Sequence, residues 1–218
     1  MNGVSILWES RELFLQGALD TLTLVLGCLV LSLPLSILGA VLMNESGPSL
    51  KRALRELFDF LRCVPFLLLA YVIYYGLPEL GVRLPPWWAG LVSLTLYNAA
   101  YLVEIFRAAF NGIDRDNIEA AQAFGFSRLQ TYRRVILPQA VITAAPLIGN
   151  QTITAMRDSA FLMIITVQEL TFTANFVSAN HFSPFAPFAM AVGLYWLMSV
   201  SIEWVVGRMG IIRRSRYG

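Results

Sequence analysis

Five times along this chain a run of about twenty residues passes almost without charge, which is the length a helix needs to cross bilayer hydrocarbon. The runs cover roughly residues 17–43, 60–77, 87–106, 138–167 and 188–206. Within hydrocarbon only helices and closed barrels satisfy their own backbone polar groups. These runs are continuously apolar and lack the alternation of barrel strands, so they predict helices. Only 14% of the residues are charged, where a soluble domain carries about a quarter. The expected fold class is therefore all-α: a polytopic integral membrane protein, one domain over 1–218, with five transmembrane helices. Pro34, Pro65 and Pro146 fall inside runs, where packed neighbours tolerate a kink. Trp87 and Trp88 open the third run as interface anchors. Cys28 and Cys63 both have apolar sequence neighbours and read as small core residues.

Cationic residues give these spans a direction. With the N-terminus outside, the inner segments hold Lys51, Arg52, Arg55 and Arg62, then Arg107, Arg115, Arg128, Arg133 and Arg134, then Arg208, Arg213, Arg214 and Arg216. That is thirteen of the 16 lysines and arginines; only Arg11 and Arg83 fall outside, and Arg157 lies in or beside the fourth span. The excess of positive charge on cytoplasmic loops predicts N-out, C-in. A four- or six-span reading puts one basic cluster on the wrong side.

The longest inner segment, 107–137, has helix punctuation of its own. Asn117 can cap a short helix through Ala123 with Glu119 near its N-terminus, and Gly125 can end it. Ser127 and Gln130 form a capping box for a second helical stretch leading to Pro138. Small Ala120 and Ala121 let the first helix lie close to a partner surface. By itself the segment also reads as a solvated connection.

Glu119-Ala120-Ala121, Gly125 four positions on, then Val135, Leu137 and Pro138 resemble the EAA motif of ABC importer permeases, with Val135 where isoleucine is usual. The resemblance extends to the polar amino acid branch of that family. It covers Gly17, Thr21 and Leu22; Arg62 and Pro65; Tyr74-Tyr75-Gly76-Leu77-Pro78; and Tyr101, Glu104, Ile105, Phe106 and Arg107. It continues through Ile136-Leu137-Pro138-Gln139-Ala140, Pro146, Gly149, Asn150 and Glu169-Leu170-Thr171, and so spans roughly 17–205. The chain departs from the pattern at Asp116-Asn117, Cys63, Leu69 and Arg157-Asp158-Ser159-Ala160-Phe161. The resemblance implies a type I ABC importer permease fold in a bacterial cytoplasmic membrane. It also implies a coupling helix, with Glu119, Ala120, Ala121 and Gly125 docking on a cytoplasmic ATPase. The implied partners are a second permease subunit, identical or homologous, two ATP-binding subunits and an extracytoplasmic substrate-binding protein. The implied cargo is a polar amino acid or close derivative, and no nucleic acid is involved.

Polar groups inside spans are costly and usually face protein or water. Asn150 and Thr154 lie four apart on one helical face and, with Asn98, are candidates for lining a hydrated path; interhelical hydrogen bonding is the equal alternative. Arg157 and Asp158 read either as a gate or substrate contact, or as a local ion pair at a bend. Glu104 and Arg107, three apart, read as a structural pair. His181, the only histidine, has no companion at metal-ligand spacing, so no metal is expected. No G-x-x-x-x-G-K-[ST] loop occurs, so ATP and Mg2+ are expected on a separate polypeptide. An ion-coupled secondary transporter is the alternative, although no internal repeat is visible and five spans divide poorly into halves.

Overall fold

The computed structural model describes residues 3–217, with side chains described for residues 3–208, and every element in it is helical. In chain order these are α1 (Gly3–Glu9), α2 (Arg11–Glu45), α3 (Pro48–Cys63), α4 (Phe66–Tyr71) and α5 (Pro86–Asn111). They continue with α6 (Arg115–Ala123), α7 (Arg128–Thr131), α8 (Leu137–Ser159), α9 (Leu170–His181) and α10 (Phe185–Tyr217). Arg213, Arg214 and Arg216, which support the C-in reading, lie outside the residues whose side chains are described.

Among the described residues, α2, α5 and α10 are each long and apolar enough to cross a membrane unaided, and two bent helix pairs pass the same test. If each bent pair is one span the total reaches five. α5 is the central helix: 67% of its most apolar window is buried, against 39% for α2 and 11% for α10. Small residues make that centre possible. Cys28, Ser32, Ser36, Gly39 and Ala40 of α2 and Ala89, Gly90, Ser93, Ala99 and Ala100 of α5 are all buried, so the two backbones approach closely. Three apolar clusters follow along the bundle. One gathers Leu24, Phe66, Leu94 and Leu162; one gathers Leu102, Phe106, Phe110 and Ile136; one gathers Ile6, Phe14, Leu170 and Val177. Leu26, Val30 and Leu38 of α2, with Val192, Leu197 and Trp204 of α10, stay exposed on the outside of the bundle.

Two spans differ from the expected boundaries. The second was expected over 60–77, but α3 ends at Cys63 and the chain turns by 103° into Phe66–Leu80. Val64 takes an extended backbone ahead of Pro65, which has no N–H to continue α3 and disfavours helix at the residue before it. Cys63, expected in the core, is exposed on the last turn of α3, while Cys28 is buried. The helix that carries the fourth span begins earlier than the span itself: α7, a wider π-helical turn over Tyr132–Ile136, and α8 run on without a break. After a tighter turn over Ala160–Ile165 and a left-handed Thr166 (φ 64°), α9 leaves at 48°. The segment 168–187, which the expected boundaries leave between the fourth and fifth runs, thus contains a helix packed on α2 and α10.

Candidate docking segment and membrane pathway

The segment between α5 and α8 folds into a compact helical hairpin. α6 begins at Arg115, behind Asp114, three residues earlier than an Asn117 cap allows; the Asn117 N–H instead donates to the Asp114 carbonyl at 3.2 Å. It ends at Phe124, where Gly125 takes φ 76°, a left-handed turn that a side chain resists. Ser127 then caps α7 with the expected box: its hydroxyl accepts from the Gln130 N–H at 3.3 Å, and the Gln130 side chain accepts from the Ser127 N–H at 2.8 Å. The Arg134 guanidinium lies 5.5 Å from the Phe126 ring, closing the hairpin.

Of the residues expected on the docking face, Glu119, Ala120 and Gly125 are exposed. Ala121 is not: it is 6% exposed and turned toward its own chain. The helical period explains the difference, because Ala121 follows Ile118 by one turn and Ile118 packs in the cluster of Phe110 and Ile136. Sequence reading missed Phe124 and Leu129, which are 84% and 77% exposed on either side of the glycine turn. Apolar side chains held out beside a polar helix were the available signal.

The hairpin is also tied to the end of α2. Glu45 accepts from Arg128 Nη1 at 2.9 Å and from the Tyr132 hydroxyl at 2.8 Å. Burial and then the Glu45 hydrogen bond push the Tyr132 phenol up to about 12, so it remains a neutral donor. A polar cleft of about 620 Å³ opens between this end of α2, the end of α5 and the hairpin, lined by Asn44, Lys51, Asn111, Arg115 and Gln122 among others.

The candidate pathway residues separate by burial. Asn150 and Arg157 are exposed on α8 and Thr154 between them is half-buried; at i, i+4 and i+7 they form one stripe facing away from the core. Asp158 flanks the stripe, half-buried, and on α5 the Tyr97 hydroxyl lies 3.3 Å from that of Tyr101. Arg157 and Asp158 do not form an ion pair among those of the described residues; the Arg157 side chain reaches back to the Ile153 carbonyl. Glu104 and Arg107 do pair, at 2.7 Å. Asn98 is 1% exposed and donates to Ser32 at 2.8 Å across α2 and α5. It makes an interhelical bond on the buried face of α5, whereas Asn150, Thr154 and Arg157 lie on an outward face of α8.

At the opposite end of the bundle, two motifs that are far apart in sequence form one contact. The Thr21 hydroxyl donates to the Gly17 carbonyl at 2.9 Å and accepts from the Leu170 N–H at 3.1 Å. A Cβ on Gly17 would stand 2.5 Å from Thr173 Oγ1, so α9 can approach α2 only over a glycine. Glu169 caps α9, accepting from the N–H groups of Thr171 and Phe172 at 2.8 and 2.7 Å and from the Tyr195 hydroxyl of α10 at 2.7 Å.

The model of one family, described as "Binding-protein-dependent transport system inner membrane component", matches residues 18–210. Among curated proteins, "Probable glutamine ABC transporter permease protein GlnM" of Bacillus subtilis is 30% identical over 200 residues, covering 92% of this chain and 93% of that protein. The histidine/lysine/arginine/ornithine transport system permease protein HisQ of Salmonella typhimurium is 30% identical over 209 residues, with 91% of each chain covered. Among solved structures, that of an amino acid ABC transporter with histidines superposes with a TM-score of 0.86 at 25% identity, covering 96% of this chain and 98% of that one.

Proposed function

Since the chain belongs to the family of binding-protein-dependent transport system inner membrane components, an ABC importer permease family, we propose that it carries polar amino acids or close derivatives into a bacterial cell. The observation that carries the reading is the hairpin at 115–131, with Glu119, Ala120, Phe124 and Gly125 exposed on one element. Such an element, capped at the start of α7 and turned through a left-handed glycine, supports a docking role for two cytoplasmic ATPase subunits that hold the ATP and Mg2+. The membrane domain itself would do no hydrolysis.

The stripe of Asn150, Thr154 and Arg157, with Asp158 beside it, supports a pathway closed by a second permease subunit, identical or homologous. An arginine facing lipid near the bilayer centre costs about 3 kcal/mol, so a hydrated or protein-covered face is favoured for it. Pairing two stripes across such a contact gives polar walls to a passage whose outer sides, on α2 and α10, remain apolar. An extracytoplasmic binding protein would deliver the cargo, and the placement of basic residues supports an outside N-terminus and a cytoplasmic C-terminus.

Reconstitution with and without the ATPase subunits tests the proposal. Uptake of a labelled polar amino acid is expected only with ATPase, ATP and the binding protein together. Uptake that persists without ATPase and follows a proton or sodium gradient would sink it and favour a secondary transporter.

A further inference from the structure

Besides its join to α5 through residues 112–114 and the packing of Ile118 in the cluster of Phe110, the docking hairpin meets the membrane helices in two further places. One is direct and covalent: α7 runs through the turn at Tyr132–Ile136 into α8. The other is Glu45, the last residue of α2, which stands 83 and 87 positions from its partners Arg128 and Tyr132. Each of its carboxylate oxygens takes one donor, Oε2 from Arg128 and Oε1 from Tyr132, so the carboxylate is held from both sides. Asn44, its neighbour in α2, also reaches the Tyr132 hydroxyl. The Tyr132 ring is itself anchored, packing edge-on against Phe110 of α5 at 6.0 Å.

Folding does not account for this arrangement. The Arg128 and Glu45 side chains are 89% and 40% exposed, and ion pairs that open contribute little to stability. The bonds instead lie at the edge of the polar cleft of about 620 Å³ that opens between the end of α2, the end of α5 and the hairpin. A displacement of the hairpin would reach α8 through the chain and would reach α2 through Glu45.

We propose that Glu45 is a positioning residue that couples the docking hairpin to the cytoplasmic end of α2, so that both long helices move when the ATPases close; this rests on the functional reading above. α2 packs on α5, α8 and α9, so moving its end acts on the helix that carries the polar stripe through a second route. The role is one of transmission, and Glu45 touches neither cargo nor nucleotide.

The test uses the complete importer in proteoliposomes, with cargo taken up per ATP hydrolysed and the yield of assembled complex both measured. Glu45→Ala is expected to lower the uptake-to-hydrolysis ratio about five-fold with assembly unchanged. Arg128→Glu should do the same, and the exchange of Glu45→Arg with Arg128→Glu should restore roughly half of the ratio. Tyr132→Phe, which keeps the ring and loses the hydroxyl, should give a smaller loss. An unchanged ratio in Glu45→Ala, a fall in assembly with the ratio unchanged, or an exchange that restores nothing overturns the role. A wild-type complex with no ATP-driven uptake overturns the functional reading, and this role with it.

Discussion

Glu169 is held from three sides, by the Thr171 and Phe172 N–H groups and by the Tyr195 hydroxyl, and it is fully buried. A buried carboxylate is costly unless each oxygen finds donors, and here both do. Removing it leaves two N–H groups at the start of α9 without this acceptor and takes from the Tyr195 phenol one of its two hydrogen-bond partners, the other being the Thr171 hydroxyl. Glu169→Ala is therefore expected to destabilise the protein by about 1–3 kcal/mol, read as a lower thermal midpoint in detergent. Glu169→Gln, which keeps one acceptor oxygen, should lose less; equal losses would contradict the cap. The sequence shows Glu169-Leu170-Thr171 plainly, and it shows Gly17 and Thr21, but nothing in it says that these two motifs touch. The same holds for Asn98: a polar residue in an apolar run looks identical from sequence whether it faces a path or, as here, bonds Ser32 on the neighbouring helix.

The hairpin of α6 and α7 is the element whose form was most nearly legible, because its punctuation is local. Ser127 and Gln130 make their capping box and Gly125 turns left-handed where the sequence places them. The start of α6 was misplaced because the capping residue, Asp114, makes no side-chain bond and so leaves only a weak signal. A Cβ at Gly125 meets no atom within 4 Å, so a substitution there strains the turn without disturbing any packing. Gly125→Val is expected to cost about 1–2 kcal/mol in the turn and to cut ATPase co-purification several-fold, with the thermal midpoint of the isolated membrane protein little changed. A midpoint that falls with no loss of ATPase would place the glycine in the folding of the bundle. α3 illustrates the opposite case. Its Lys51, Arg52, Arg55 and Arg62 were counted as an inner loop with the start of a span, whereas they lie along a 16-residue helix that turns by 103° at Pro65.

For the whole molecule, the arrangement of charge predicts which ends face which compartment. With Cys63→Ser as background, a cysteine at exposed position 83 should react with an impermeant maleimide in intact cells. One at exposed position 115 should react only after the membrane is opened. The reverse pattern would contradict the N-out reading. Hydropathy and charge are properties that sum along the chain, because transfer into a bilayer is close to additive over a helix. The sequence by itself therefore determined the all-helical membrane class and the placement of the capped segment 115–131 between apolar runs. Which side of each helix faces a neighbour depends on small rotations fixed by contacts between distant residues. Only the tertiary structure decided that Asn98 is an interhelical bond, that Ala121 turns inward, that Asn150, Thr154 and Arg157 form one uncovered stripe, and that Glu45 spans from α2 to the hairpin.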